Sequence, residues 1–465
     1  MKKKDDIYKR RLKSSHYKKK RREKKLFKLK RGFEKFKSDV RENNPDAEFV
    51  NFPLHHFLQK SRLLKKPEYG ESLKYFLSKK DSFARESSNF NDNNFVIPEK
   101  FSIIENYVET MVFLRKLFNS LHNQIFEEIY IDYSMCKEID VCASMCMDII
   151  LGEFINYYNE STKGRHIIKV KKIRPINFDD YDIKKILFSI GAYANIKGFK
   201  IKDENIIEFP IRVGSKRNIN LPTQREIDIT LTVDYIINCL KAMNKTLTGP
   251  AETNLYKVIG EVIQNADEHS DTTNRYSIGY FEKPETENEK FGIFNLAILN
   301  FGNTFYETFK NDTCENIEVQ NQMKELSKKF TKRNLFLSRE FEEETLWTLY
   351  ALQDGVTRIS NWDRGNGAIR FIESFYNLKG KDIDDKISKM VITTGHTRII
   401  FDGTYKPVEK VRGKEGKKYK MMTFNSDGSI EEKPDNRFIK YEENYFPGTM
   451  ISVKIRIDYE NTENI

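Results

Sequence analysis

The spacing of hydrophobic residues changes along the chain, and it predicts which segments are strands and which are helices. β-branched and aromatic residues at 129–133 predict a strand. From Asp140 onward, apolar residues recur every three or four positions and predict a helix. The stretches "HIIKVKKI" and "DYDIKKILFSIGAYANI" then predict a second strand and a second helix. This alternation indicates an α/β layer.

The second half of the chain has a different order of elements. Two helical patterns come first, in "LTVDYIINCLKAMN" and "GPAETNLYKVIGEVIQNADEHS". Four strand-like stretches follow: "NRYSIGYFEK", "KFGIFNLAILNFG", "MVITTGHTRIIFDG" and "GTMISVKIRI". Further helices are predicted around residues 315–330 and 338–353. The pattern therefore predicts a second α/β unit.

These patterns divide the chain into four parts. A basic arm covers residues 1–45, and helical segments with a linker cover residues 46–123. The first α/β domain covers residues 124–217, and the second covers residues 218–465.

Composition sets broad limits on the kind of protein. The 465 residues are enough for two or three domains, and 13% aromatic residues exclude a wholly disordered chain. There is no run of 18 apolar residues, so we expect no membrane span, and the basic N-terminus lacks the apolar segment of a secretory signal. The five cysteines show no paired spacing, which favours a reducing compartment, and we expect a cytoplasmic protein.

Three of the cysteines, Cys136, Cys142 and Cys146, lie close together in the chain. They form no C-x-x-C pair and have no histidine nearby, so a metal site is not expected. We interpret them as small, buried apolar side chains.

Positive charge is concentrated in the arm. Residues 1–40 contain nineteen Lys and Arg against five Asp and Glu, which leaves 61 basic and 64 acidic residues in the rest of the chain. Such an arm predicts a polyanion-binding segment, and nucleic acid is the partner that we expect. A solubilising tail stays open as an alternative, as does a membrane or protein surface that uses the apolar face of a short helix at 26–36. The aromatic residues of the arm are able to stack on unpaired bases: Tyr8, Tyr17, Phe27, Phe33 and Phe36.

One helix of the second half carries a distinctive set of polar residues. In "NLYKVIGEVIQNADEHS" the apolar residues form a stripe, and Glu261, Asn265 and Glu268 recur on the opposite face. A solvated helix face can show such spacing by accident. Glycine elements further along the chain make a binding site the better interpretation.

The first glycine element is "NFG", where Asn300 and Gly302 end an apolar strand. The second is "GNG" at 365–367, which opens an apolar helix. Glycine lets backbone N–H groups approach a phosphate, and a helix N-terminus adds a favourable partial positive charge. A last element, Gly448-Thr449, begins the final strand.

In this order, the four motifs resemble the GHKL superfamily, the Bergerat-fold ATPases. That superfamily includes type II topoisomerases, MutL-type mismatch-repair proteins, histidine kinases and anti-sigma-factor kinases. The segment "EVIQNADEHS" is most similar to the wording of the anti-sigma-factor kinases. The resemblance covers roughly residues 225–457. It implies an α+β two-layer sandwich with ATP and Mg²⁺ as cofactors.

The resemblance assigns roles to three residues of the polar helix. Asn265 would bind Mg²⁺ through its side-chain oxygen, because Mg²⁺ prefers oxygen ligands and takes few from the protein when phosphates are present. Glu261 would be the general base that orients water on the γ-phosphate. Glu268 stands where topoisomerase-like members place an acidic residue near the nucleotide.

The resemblance also assigns the glycines and the segment between them. Gly302 would let the backbone approach the nucleotide, and Gly365 and Gly367 would hold the phosphates. Residues 303–364 would form a lid over the site.

The base of the nucleotide is assigned to two further residues. Thr449 would lie near adenine. The family usually has Asp where this chain has Asn300, and an amide still accepts a hydrogen bond from the adenine amino group but lacks the charge. We therefore expect weaker binding and slow turnover.

The α/β layer of residues 124–217 resembles a STAS domain, the small α/β fold of anti-sigma-factor antagonists. Those proteins carry a phosphorylatable Ser or Thr at the start of a helix. Here Val141 and Cys142 occupy that position, and Ser144 lies further into the helix. This departure predicts a structural or protein-docking module rather than a phosphorylation switch.

Three functions are compatible with these resemblances. We expect a Mg-ATP-binding switch, whose lid closes over the nucleotide and changes contacts with a partner or with nucleic acid. The alternatives are an anti-sigma-type protein Ser/Thr kinase and a degenerate, non-catalytic regulatory protein that binds nucleic acid. Members of the superfamily often form homodimers. A role in stress regulation or phage defence is suggested only by its association with this architecture, and no residue of the sequence indicates it.

Overall fold

The computed structural model describes most of the chain from residue 70 onward. The described ranges are 70–78, 93–123, 128–162, 172–190, 203–215, 221–268, 270–284, 291–311, 314–331, 341–357, 367–379, 385–412 and 417–458. Nine single residues between 17 and 35 are also described, all in helical conformation. The apolar positions predicted for the arm, Leu26, Leu29, Phe33 and Phe36, lie outside the described residues.

Within these ranges the chain is mixed α/β, as predicted, with both parallel and antiparallel sheets. Its strands are β1 (Asn94–Val96), β2 (Lys100–Phe101), β3 (Glu128–Asp132), β4 (Glu138–Ile139), β5 (Lys172–Ile176), β6 (Ile206–Ser215), β7 (Ser270–Glu282), β8 (Phe291–Gly302), β9 (Lys389–Phe401), β10 (Val408–Arg412), β11 (Lys417–Met421) and β12 (Ile439–Asp458). Its helices are α1 (Glu71–Ser78), α2 (Tyr107–Asn123), α3 (Val141–Thr162), α4 (Tyr181–Ile190), α5 (Leu221–Ala242), α6 (Gly249–Glu268), α7 (Phe305–Lys310), α8 (Ile317–Thr331), α9 (Glu343–Ala351) and α10 (Gly367–Lys379).

The N-terminal part contains short parallel strands. A three-stranded sheet has the order β1–β3–β5, and β2 pairs with β4 beside it. Helix α3 begins directly after Asp140, whose carboxylate accepts hydrogen bonds from the Ala143 N–H (2.7 Å) and the Ser102 hydroxyl (2.7 Å). This cap stabilises the first turn of α3 and ties it to the segment after β2.

The C-terminal half is built on a five-stranded sheet with the order β6–β7–β8–β12–β9. Each neighbouring pair is antiparallel. The predicted strands of the second half are confirmed as β7, β8, β9 and β12. Long β-branched and aromatic strands of this kind bury both of their faces when helices cover both sides of the sheet.

The two faces of this sheet contribute to different hydrophobic cores. In β8, Leu296 and Ile298 face α5, α6 and α10, whereas Leu299 and Phe301 face the N-terminal helices. The ring of Phe301 meets that of Phe76 in α1 edge to face, with 4.6 Å between centroids. The C-terminal half therefore forms two layers of its own, and the N-terminal part adds a third layer against the opposite face.

The edge strand β6 joins the two parts of the chain. The predicted division at residues 217 and 218 assigns residues 206–215 to the first α/β domain, whereas they form β6 and pair with β7. Helix α4 also packs on β6 and β7. Strand β6 thus belongs to the five-stranded sheet, and the hydrophobic core on one face of that sheet contains residues of both parts.

Helix α6 carries the polar residues singled out in the sequence. Pro250 lies in its first turn, where a missing N–H costs little, and Glu252 suits the positive end of the helix dipole. The predicted apolar stripe is buried, which confirms it: Leu255, Val258, Ile259, Val262, Ile263 and Ala266. None of the described helices combines the length and apolar composition that a bilayer-crossing segment requires.

Gly448 allows β12 to pass close to β8. Its φ is 146°, which side chains rarely tolerate, and a Cβ at this position would overlap the carbonyl oxygen of Asn300. A bulge between Phe446 and Thr449 lies at the same place. The glycine that the sequence marks as part of a motif is therefore required by backbone geometry.

We predict that Gly448→Ala lowers the free energy of unfolding by about 3 kcal/mol, because backbone strain adds to a clash with the neighbouring strand. Urea denaturation followed by circular dichroism measures the change. The matched control is Gly152→Ala in helix α3, where a Cβ meets nothing within 4 Å. That control should gain about 0.5–1 kcal/mol from helix propensity. Equal midpoints for the two variants would contradict the assignment.

Candidate functional site

A cavity opens between helix α6, the start of α10 and the sheet face that these helices cover. Its empty volume is about 620 Å³, a figure that includes the space at its open mouth. The residues that line it are Val262, Asn265, Ala266, Ile298, Asn300, Asn303, Phe305, Thr308, Leu352, Ala368, Phe371, Ile392, Thr449 and Ile451.

A row of polar side chains runs across four strands on the sheet face beneath the cavity, and two of its members, Asn300 and Thr449, line the cavity. Arg275 of β7 pairs in register with Asn300 of β8, which in turn pairs with Thr449 of β12. Thr449 pairs with Thr394 of β9, and their hydroxyl oxygens are 3.2 Å apart. Residues directly opposite each other on antiparallel strands share a face. Two motifs that are about 150 residues apart in the sequence therefore meet on one surface.

Asn300 occupies the centre of this row. Its side chain lies on the same face as that of Ile298, two residues earlier, and both line the cavity. Asn300 is only 3% exposed, and its Nδ2 atom is buried without a hydrogen-bond partner. Buried amides are normally satisfied, so an unpartnered one beside a cavity indicates a site where a ligand or water completes the bonding.

Asn265 stands at the rim of the cavity on the last turns of α6. Its side chain is exposed and contributes to the lining. Glu261, one turn earlier, is half-buried and is not among the lining residues. Its Oε1 accepts a hydrogen bond from Arg370 of α10 at 3.3 Å, and its Oε2 is buried without a partner. The structure thus places the Glu261 carboxylate beside the first turn of α10.

The predicted glycines lie near the cavity to different extents. Gly302 ends β8 and pairs with Ser270, and the next residue, Asn303, lines the cavity. Gly367 is the first residue of α10, and Ala368 lines the cavity. Gly365 lies outside the described residues.

Part of the predicted lid forms one wall of the cavity. Thr304 begins α7 with a capping box, in which its hydroxyl accepts from the Glu307 N–H (3.1 Å) and Glu307 accepts from the Thr304 N–H (2.9 Å). Phe305 and Leu352 complete the wall. Residues 312–313, 332–340 and 358–364 of the same stretch lie outside the described residues.

Glu268 is directed away from the cavity. It is exposed and accepts a hydrogen bond from Gln264 of the same helix at 2.6 Å. The acidic residue that faces the sheet is its neighbour Asp267, which is 3% exposed. Asp267 follows Ile263 by four residues and so continues the apolar stripe, which was the available sequence signal for its burial.

Asp267 belongs to a buried charge network that the sequence did not reveal. Arg275 lies between Asp267 of α6, at 2.6 Å, and Asp228 of α5, with which it also forms a close ion pair. Arg225 approaches Asp267 at 3.1 Å, and Arg212 approaches Asp228 at 3.4 Å. Each carboxylate is therefore compensated by two guanidinium groups, which makes burial of the charges tolerable.

The described lining of the cavity contains no charged side chain. Its polar members are Asn265, Asn300, Asn303, Thr308 and Thr449. Around the cavity, Glu261 forms an ion pair with Arg370, and Arg275 forms ion pairs with Asp228 and Asp267. The interior is thus electrostatically neutral and donates or accepts hydrogen bonds only through amides and hydroxyls.

The cysteines and Ser144 lie elsewhere and are buried. The described cysteines are all buried, as predicted, and burial raises the pKa of the Cys136 thiol to about 12. Val141 and Cys142 are buried at the start of α3, and the Ser144 hydroxyl is buried without a partner. Among the described residues, no group of His, Cys, Asp or Glu side chains is arranged to hold a metal ion.

No protein-family model, curated protein or solved structure matches the chain significantly. Arguments about its function therefore come from the residues of the cavity and their surroundings.

We predict that Asp267→Ala lowers the free energy of unfolding by about 3 kcal/mol, because it removes one of the two carboxylates that compensate the buried Arg275 and also the partner of Arg225. The matched control is Glu268→Ala, the next residue on the same helix, which should change stability by less than about 0.5 kcal/mol. Urea denaturation measures both. A loss of similar size in the two variants would show that the buried network does not hold α6 in place.

Proposed function

We propose that the chain is a Mg-nucleotide-binding switch of the GHKL type, with ATP as its expected ligand. One observation carries this proposal. Asn265, Asn300 and Thr449 come from three distant segments and line one cavity, beside the first turn of a helix that follows a glycine loop. An antiparallel sheet covered on one face by α5, α6 and α10 supports a Bergerat-type sandwich.

The residues present fit a magnesium ion that is held mainly by a nucleotide. Mg²⁺ takes oxygen ligands and commonly keeps only one or two from the protein beside phosphates and water. The Asn265 amide oxygen at the rim is a suitable ligand of this kind. The ion would supply positive charge for the phosphates, which the neutral cavity lining does not provide.

The first turn of α10 would face the phosphates. Backbone N–H groups at a helix N-terminus are oriented to bind anions, and α10 begins at Gly367, which has no side chain. The base would lie at the opposite end of the cavity, against Asn300 and Thr449. Uncharged protein groups would then recognise both the phosphates and the base of the nucleotide.

Glu261 would act on water near the phosphates. The hydrogen bond from Arg370 orients one carboxylate oxygen, and the second oxygen is buried without a partner in the described part of the chain. Because Glu261 does not line the cavity, its carboxylate would have to turn toward the ligand to accept a proton from a water molecule. Because Arg370 also holds the carboxylate, we infer a slow rate of hydrolysis.

The wall of the cavity supports a switch. Phe305 of α7 and Leu352 at the end of α9 both line the cavity, so a bound nucleotide would contact both elements and would draw them over the ligand. Helix α9 packs against α7, α8 and β9. Movement of this wall would therefore reach other surfaces of the protein.

A nucleotide-binding protein without catalytic turnover is the second candidate. The Glu261–Arg370 pair favours it, because the carboxylate is engaged by Arg370 and does not line the cavity. A kinase that acts on its own STAS-like segment is less well supported, since Ser144 is buried within α3. That segment is better suited to docking a protein partner or a second copy of the chain.

We also propose that the basic arm binds nucleic acid. Of its described residues, Tyr17 and Phe27 are 70% and 67% exposed, among lysines and arginines. Exposed aromatic rings beside cations suit stacking on unpaired bases and contact with phosphates. Binding of this kind would depend little on nucleotide sequence.

We predict that wild-type protein binds Mg-ATP and that two substitutions separate binding from hydrolysis. Asn265→Ala should weaken Mg-ATP binding at least tenfold, about 1.4 kcal/mol, because the metal loses its protein ligand. Glu261→Gln keeps the hydrogen bond to Arg370 and should leave binding nearly unchanged while hydrolysis falls by about a hundredfold. Isothermal titration calorimetry and phosphate release measure the two effects.

The control for these variants is Gln264→Ala, which removes the half-buried neighbour of Asn265 and should change neither quantity. Absence of Mg-ATP binding at millimolar concentration would overturn the proposal. Binding with no hydrolysis in wild type would select the non-catalytic candidate.

We predict that deletion of residues 1–40 flattens the salt dependence of binding to a single-stranded oligonucleotide, because fewer counterions are released. Fluorescence anisotropy at several salt concentrations gives the slope. A variant with the lysines of this segment changed to arginine keeps the charge and should bind like wild type. An unchanged slope after deletion would rule out the arm as the binding element.

A further inference from the structure

The polar side chains that line the cavity can each both donate and accept hydrogen bonds. A carboxylate only accepts hydrogen bonds and an ammonium group only donates them, whereas amides and hydroxyls do both. The described lining contains only the last two kinds, on Asn265, Asn300, Asn303, Thr308 and Thr449.

Asn300 has no neighbour that fixes the orientation of its amide. In the described part of the chain, no hydrogen bond engages its side chain, and its Nδ2 is buried without a partner. The amide can therefore turn by 180° and exchange its donor and acceptor without losing a bond to the protein.

The hydroxyl pair beside Asn300 is equally adaptable. The Phe305 N–H donates to the Thr394 oxygen at 3.3 Å, and the Thr394 and Thr449 hydroxyls are 3.2 Å apart with either one as donor. If Thr394 donates, Thr449 keeps its own proton for a ligand. If Thr449 donates, its oxygen remains available as an acceptor.

Because these groups both donate and accept hydrogen bonds, they determine which purine bases the site can bind. Adenine presents a 6-amino donor beside the N1 acceptor, whereas a 6-oxopurine such as guanine or hypoxanthine presents a 6-oxo acceptor beside the N1–H donor. An amide matches either edge by turning over. A carboxylate at the same position would accept from the 6-amino group but would face the 6-oxo group oxygen to oxygen, which is repulsive.

We infer that the site accepts 6-aminopurine and 6-oxopurine nucleotides alike, and that Asn300 is the residue that removes the discrimination. The inference rests on the proposed function, since it concerns the same cavity. It extends the ligand class from adenine nucleotides to guanine nucleotides.

The test compares Mg-ATP with Mg-ITP, which differ only at positions 1 and 6 of the purine. Calorimetry with wild-type protein should give dissociation constants within about threefold of each other. Asn300→Asp should bind Mg-ATP at least tenfold more tightly than Mg-ITP, because only the 6-amino group can donate to the carboxylate.

The control is Asn303→Asp, which introduces the same charge into the same cavity. It should weaken both nucleotides through repulsion of their phosphates and leave their ratio unchanged. This separates the effect of charge from recognition of the base.

Each outcome decides the inference. A wild-type preference for Mg-ATP over Mg-ITP of more than tenfold overturns the inference. An unchanged ratio of the two dissociation constants in folded Asn300→Asp also overturns it. Both results leave the proposed nucleotide site in place. Failure of both nucleotides to bind at millimolar concentration removes the proposed function as well. The wild-type comparison needs no variant, so it still tests the inference if the Asn300→Asp protein does not fold.

Discussion

The pairing of Arg275 with Asp228 and Asp267 is the interaction on which the candidate site depends. The guanidinium group is buried at the sheet, and its two carboxylate partners come from different helices. Buried charges are costly unless each is matched, so this geometry holds α5 and α6 against β7 in one position. Asn265 lies two residues before Asp267. The same contact therefore fixes where the amide stands at the rim of the cavity.

The strands and helices could largely be predicted from the period of the hydrophobic residues, because both faces of the central sheet are buried and its strands are long. Which strands belong to the same sheet could not be predicted. Strand β6 follows the first α/β layer in sequence but pairs with β7, about 70 residues later. Nothing local marks such a long-range pairing, so the sequence pattern does not reveal that β6 belongs to the five-stranded sheet.

The candidate site shows the same limit at the level of single residues. Asn265, Asn300 and Thr449 could be predicted because each belongs to an ordered motif on a clearly patterned element. The motif alone could not distinguish Glu268 from Asp267. Successive side chains on a helix differ in direction by about 100°, so one of the two faces solvent and the other faces the sheet. Only the position of Arg275, which depends on the register of β7, settles which carboxylate is buried.

The third layer has a practical consequence for anyone who wishes to study the C-terminal half in isolation. A fragment that starts at residue 218 would lose β6 and leave the open backbone edge of β7 in water. It would also strip the cover from Leu299, Phe301 and their neighbours on the sheet. Such a fragment would self-associate before it could be assayed. Any shift of the sheet on ligand binding would pass straight into the N-terminal helices, with no linker to absorb it.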